Sequence, residues 1–140
     1  MFKVFVYGTL KPDGKYYQIY CKGKTLQEVK CWTIGRLYGL SLGYPAMIQE
    51  TLDDRTNHRV YGYLLTFASL KDLDNLDKLE GYSGIPHSPL NEYDRTKIIV
   101  YNEANQAIDE VWTYFMTQKK VNLLKGVYLP SGQWENVVEN

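Results

Sequence analysis

The stretch Phe2-Lys3-Val4-Phe5-Val6-Tyr7-Gly8-Thr9-Leu10 constrains this chain more than any other. Phe2, Val4 and Val6 alternate with Lys3, Phe5 and Tyr7. That is the period of a buried strand, with one face wholly apolar and the other ending in aromatics. Gly8 then breaks the strand. A glycine there lets the chain turn with positive φ or lets a ligand approach the backbone, and the N–H groups that follow can converge on one anionic or carbonyl oxygen. The same residues equally describe an N-terminal core strand followed by an ordinary turn.

A chain of 140 residues is long enough for a single core of ordinary size. One domain over residues 1–140 is therefore expected. The 16 basic and 16 acidic side chains cancel, so nothing in the charge favours nucleic acid or an anionic membrane. No apolar run approaches the length of a membrane span, and Met1-Phe2-Lys3 is already strand-like rather than the start of a secretory signal. Cys21 and Cys31 lack a second pair and suitably spaced histidines, which argues against zinc and fits two free thiols in a cytoplasmic protein. The 13 tyrosines suit a β-rich domain with half-wet aromatic walls.

Along the chain, Lys11-Pro12-Asp13-Gly14 is a turn signature, and Tyr16, Tyr17, Ile19 and Tyr20 fit either a short helix or an aromatic lid. Thr25 to Val29 is ambiguous. Trp32 to Tyr38 reads as a strand interrupted at Gly35, Gly39 to Pro45 as a loop, and Ala46 to Gln49 as a further strand. Asp53 to His58 should be a hairpin loop leading into a strong strand, Arg59 to Phe67, with Tyr61, Tyr63, Leu65 and Phe67 on one side. Two more strands, Tyr93 to Tyr101 and Ile108 to Met116, flank a turn at Asn102 to Gln106. A short helix is expected at Val121 to Leu124, then an irregular tail pinned by Trp134.

Between these strands the period switches. Ser69 and Asp72 resemble a capping box, and a helix runs from Leu70 through Glu80 to a stop at Gly81. Turning about 100° per residue from Leu70 puts Leu76 near 240°, Leu73 near 300° and Glu80 at about 280°. A carboxylate thus points where the leucines point, while Lys71, Asp74, Asn75 and Lys78 form a solvated face. Asp77 falls near 340° and reads as a surface acid. Burial and the negative end of the helix dipole should both raise the pKa of Glu80 and poise it for proton transfer. The alternative is that a last-turn Glu bends out to water or pairs with Arg36, Arg95 or a lysine. His58 and His87 offer no nucleophile arrangement, and there is no glycine-rich phosphate loop.

Val6-Tyr7-Gly8-Thr9-Leu10, Gly43-Tyr44-Pro45-Ala46, Val60-Tyr61-Gly62-Tyr63-Leu64, Leu73 through Glu80-Gly81-Tyr82, Tyr93-Asp94-Arg95 and Gly132-Gln133-Trp134 follow one another in order. Together they resemble the γ-glutamylcyclotransferase-like (AIG2-like, γ-glutamylamine cyclotransferase-like) family. The resemblance implies a small α+β fold, a mixed β-barrel-like sheet with a few flanking helices. It implies that Tyr7, Gly8, Thr9 and Leu10 line a substrate cavity, with Glu80 as acid/base, and that a small-molecule γ-glutamyl compound is converted to 5-oxoproline with release of its amine. Tyr114 could add a phenol to the pocket, and Arg95 could brace Glu80 or the sheet. Where many relatives carry an Arg after the Leu, this chain has Lys11-Pro12-Asp13-Gly14 and then the tyrosine cluster, so Tyr16, Tyr17 and Tyr20 could decide the substrate. The chemistry needs no metal or organic cofactor, and monomer and homodimer both stay open. The competing reading is a non-catalytic module that keeps the cavity and binds small molecules.

Overall fold

The computed structural model describes residues 1–50 and 58–135. In chain order its elements are β1 (Phe2–Val6), α1 (Tyr17–Tyr20), β2 (Thr25–Ile34), β3 (Arg36–Gly39), β4 (Pro45–Ile48), β5 (Arg59–Phe67), α2 (Leu70–Leu79), β6 (Asp94–Tyr101), β7 (Ala107–Phe115), α3 (Gln118–Leu123) and β8 (Val127–Tyr128). Five strands close a barrel in the order β1-β5-β2-β6-β7, and β4-β3-β8 form a second, smaller sheet. β1 pairs antiparallel with β5 from Phe2↔Phe67 to Val6↔Tyr63 and parallel with β7 at Val4↔Trp112. The first strand is therefore the seam that closes the barrel.

Both faces of β1 are buried, as its alternation requires. Phe2, Val4 and Val6 join one apolar cluster with Leu65, Phe67, Leu73, Leu76 and Tyr114, so α2 covers this side of the barrel. Phe5 and Tyr7 join a second cluster with Cys31, Val60, Leu64, Val100, Val111 and Phe115. Phe2 stacks on Phe67 at 4.9 Å between ring centroids, which anchors one end of the β1–β5 pair. At Gly62 the strands leave no room: a Cβ there would lie 2.1 Å from the Val6 carbonyl oxygen.

Several sequence expectations are adjusted. The ambiguous Thr25 to Val29 stretch is strand, the outer half of a ten-residue β2, because its exposed side chains still pair along β5 from Thr25↔Phe67 onward. The expected Trp32 to Tyr38 strand is two strands. At Gly35 the chain leaves the barrel for the second sheet, and the Gly35 N–H donates to the His58 carbonyl at 3.0 Å. The hairpin loop expected at Asp53 to His58 lies, except for His58, outside the described residues. β8, which pairs Tyr38↔Tyr128 and Gly39↔Val127, was not expected, since two exposed residues carry no period. Cys21 and Cys31 are free and buried, and burial pushes each thiol up to about 12. Among the described residues no helix is long and apolar enough to cross a membrane.

Candidate active site

Glu80 owes its position to how α2 ends. Ser69 caps the start, its hydroxyl accepting from the Lys71 N–H at 3.2 Å. The amphipathic helix then buries Leu73 and Leu76. At the other end the Gly81 N–H donates to the Lys78 carbonyl (3.2 Å) and the Tyr82 N–H to the Asp77 carbonyl (2.8 Å). This is a Schellman closure, and it needs the left-handed φ of +68° that Gly81 supplies. Glu80 is the C-cap rather than the last full helical residue, and its own N–H still donates to the Leu76 carbonyl at 2.9 Å. The cap sets the side chain on the leucine side.

There it meets the turn that closes β1. Glu80 and the residues Tyr7, Gly8, Thr9 and Leu10 line one cavity of about 180 Å³, together with Tyr16, Tyr44, Glu92, Tyr93 and Tyr114 among others. None of the N–H groups of Gly8, Thr9 and Leu10 donates to a backbone carbonyl of the described residues, whereas the Gly8 and Thr9 carbonyls accept from Lys11 (3.1 Å) and Tyr16 (2.8 Å). Carbonyls tie the turn down, and its three N–H groups make no backbone hydrogen bond among the described residues.

The carboxylate of Glu80 has no hydrogen-bond or ion-pair partner among the described residues. Its half-buried side chain lines the cavity. Loss of hydration, followed by the negative charges of Glu92 and Asp77, pushes it up to about 8. The pairings weighed from sequence are not made among the described residues: Arg36 pairs with Glu50 (2.8 Å), Arg95 with Asp77 (3.0 Å), and no lysine pairs with Glu80.

A tyrosine framework holds the cavity wall. Tyr7 Oη donates to the Tyr114 carbonyl at 2.6 Å and accepts from the Met47 N–H at 3.2 Å, tying β1, β7 and β4 together. Tyr93 Oη donates to the Pro45 carbonyl at 2.7 Å. Tyr114 does line the cavity, and its hydroxyl donates to Asp77 Oδ1 at 2.6 Å. Burial raises the pKa of all three phenols, so they stay neutral donors.

Asp77 is thus not the surface acid that its helical angle suggested. It is half-buried, receiving Tyr114 on one oxygen and Arg95 on the other, while the Arg95 guanidinium lies 4.6 Å over the Trp112 ring. The angle was right, but β6 and β7 cover that flank of α2, with Arg95 and Tyr114 opposite one another in register. Asp77→Ala leaves Arg95 without its counter-ion in a mostly buried setting. It should destabilise the chain by about 2–4 kcal/mol, read by urea denaturation.

Of the lid tyrosines only Tyr16 reaches the cavity. Tyr20 packs edge-on against Tyr16 at 6.2 Å, and the Tyr17 hydroxyl donates to Glu28 at 2.6 Å. The residue that sequence reasoning missed is Glu92. It lies outside every regular element, so no periodicity flags it, yet the Glu92 N–H donates to the Gly81 carbonyl at 3.0 Å and sets it beside the end of α2. Among the described residues no group of His, Cys, Asp and Glu side chains could hold a metal ion.

The end of the barrel seam and an unpaired carboxylate thus line one tyrosine-walled hollow. The chain belongs to the Gamma-glutamyl cyclotransferase, AIG2-like family, whose model matches residues 4–136. Solved structures share the fold. An AIG2-like protein from Mus musculus is 20% identical with a TM-score of 0.59, covering 100% of this chain and 98% of that one. A protein of Arabidopsis thaliana is 26% identical with a TM-score of 0.58, covering 84% and 70%. YkqA from Bacillus subtilis is 20% identical with a TM-score of 0.61; the match covers 94% of this chain and 39% of YkqA, so the chain spans well under half of that protein. No curated protein matches the chain in sequence.

Proposed function

We propose that this chain is a γ-glutamylcyclotransferase that converts a γ-glutamyl amine or γ-glutamyl amino acid to 5-oxoproline and the free amine, with Glu80 as acid/base. The observation that carries this reading is the unpaired Glu80 carboxylate sharing a cavity with the Tyr7 to Leu10 turn. The substrate supplies its own nucleophile, which fits a cavity that no serine, cysteine or histidine of the described residues lines. Its α-nitrogen attacks the γ-carbonyl carbon to close a five-membered ring, and the bond from that carbon to the amide nitrogen breaks. The α-nitrogen begins with three protons and ends with one. Both protons it sheds finish on the released amine, and Glu80 carries the first from the α-ammonium toward the departing nitrogen. Holding the two reacting atoms together contributes effective molarities of about 10⁵ M or more in favourable cases.

Among the described residues no lysine, arginine or histidine lines the cavity, so the α-carboxylate of the substrate falls to the N–H groups of Gly8, Thr9 and Leu10. The neutral phenols of Tyr7, Tyr93 and Tyr114 hold the walls rather than the proton. As carboxylate, Glu80 is the base in the free enzyme. With its pKa at about 8, kcat/KM should rise roughly tenfold per pH unit through the acid range and level off near pH 8. A flat profile between about pH 5 and 8 speaks against Glu80 as the base. The defining experiment is incubation with a panel of γ-glutamyl compounds and detection of 5-oxoproline by mass spectrometry. Saturable binding of those compounds without 5-oxoproline would replace this reading with that of a binding module.

A further inference from the structure

The cavity carries more negative charge than the cyclisation uses. Glu80 and Glu92 both line it, and none of the described residues that line it is cationic. Of the neighbouring cations, Lys15 lies 5.3 Å over the ring of Tyr16 without lining the cavity, and three others are engaged elsewhere. Arg95 pairs with Asp77 at 3.0 Å, Lys120 Nζ bonds to the main-chain carbonyl of Asn91, and Lys11 Nζ bonds to the Trp134 carbonyl at 2.5 Å. A γ-glutamyl group brings one α-ammonium, whose proton goes to Glu80, and one α-carboxylate, which adds a further negative charge. Glu92 is left facing the rest of the substrate without a counter-charge.

Glu92 is also held in place. Tyr44 Oη donates to its Oε1 at 2.5 Å, which leaves the other carboxylate oxygen free to accept from a ligand. Its backbone is tied to the Gly81 carbonyl at 3.0 Å, which fixes where the side chain starts. Tyr16 and Tyr44 add aromatic walls that suit a methylene chain ending in an ammonium.

Resting on the cyclotransferase reading, we propose that Glu92, held by Tyr44, is a specificity-determining residue that receives a second ammonium group of the substrate. The compound this chain takes is then a γ-glutamyl conjugate of an amine bearing a further positive charge.

Three probes of equal chain length separate the alternatives: γ-glutamyl-diaminobutane, γ-glutamyl-butylamine and γ-glutamyl-aminobutyrate, ending in an ammonium, a methyl and a carboxylate. Binding is measured by calorimetry on Glu80→Gln, which holds substrate without turning it over. The ammonium probe is expected to bind at least about tenfold tighter than the methyl probe, with the carboxylate probe weakest, as for a charge-assisted hydrogen bond. Adding Glu92→Gln, nearly isosteric and still able to accept from Tyr44, should bring the ammonium-to-methyl ratio to within about threefold of one. Tyr44→Phe, which frees the carboxylate to move, should reduce the ratio without abolishing it. Equal affinities for the ammonium and methyl probes, or a preference that survives Glu92→Gln, would overturn the assignment. Turnover of the same probes by the parent chain is scored separately. If none yields 5-oxoproline, the reaction assigned above fails, and the calorimetric ratio still decides the role of Glu92.

Discussion

Replacing Glu80 by glutamine is expected to leave the barrel folded and to lower 5-oxoproline formation by about 10²- to 10⁴-fold, the range for loss of a positioned acid/base. Glutamine fits the C-cap equally well, because the Schellman closure uses only backbone groups and Gly81. The same substitution should change stability in a direction that a mere loss of contact cannot mimic. In the fold the carboxyl of Glu80 lies at about 8, against an ordinary 4.5, so between those values the folded chain keeps a proton that the unfolded chain has released. Its contribution to stability is complete below about 4.5 and is lost as the pH rises through about 8. Glutamine cannot ionise and escapes that loss. Relative to the parent, Glu80→Gln should gain about 2–4 kcal/mol on going from about pH 5 to about pH 9, read by urea denaturation at both. Near-parental turnover would show that this carboxyl is not the acid/base, and no gain in the alkaline range that it is not kept from water.

Gly8→Ala is expected to have the next largest effect. A Cβ at residue 8 would lie 2.6 Å from Cγ and 2.9 Å from Cδ of Pro45. Neither partner yields easily. Pro45 is a rigid ring at the start of β4, paired with Gly39, and its carbonyl receives the Tyr93 hydroxyl. The turn after β1 must therefore move, carrying with it the N–H groups of Gly8, Thr9 and Leu10. Misplacing one such donor costs about 10²- to 10³-fold in comparable sites, and kcat/KM should fall by that amount. Overpacking should cost about 1–3 kcal/mol of stability, so the variant remains folded at room temperature. A normal kcat/KM in a folded Gly8→Ala would separate the turn from the chemistry. The clash also explains why the glycine is needed here: the requirement is for space beside Pro45, since its φ is not in the left-handed region.

Wherever regular repetition carries the information, the fold was legible from the chain. Alternation placed β1, β5, β6 and β7 to within a residue or two. The switch of period located α2, and one acid at about 280° among leucines singled out Glu80. These features depend on neighbours a few residues apart, and such neighbours are visible in any single sequence. The tyrosines illustrate the boundary. Their number suits a β-rich domain, but which of them wall the cavity depends on contacts such as Tyr7 with Met47 and Tyr93 with Pro45, 40 and 48 residues apart.

The amino-acid sequence by itself determined the main barrel strands, the helix and its stop, the angle at which the acid leaves that helix and the glycine that ends the first strand, because each follows from local sterics and a short period. Only the tertiary structure decided that the acid and the turn face one hollow, that Asp77 belongs to Tyr114 and Arg95, and that Glu92 stands beside Glu80. Those facts arise where barrel closure brings β1, β7 and the end of α2 together, and no local pattern encodes a meeting between residues separated by most of the chain.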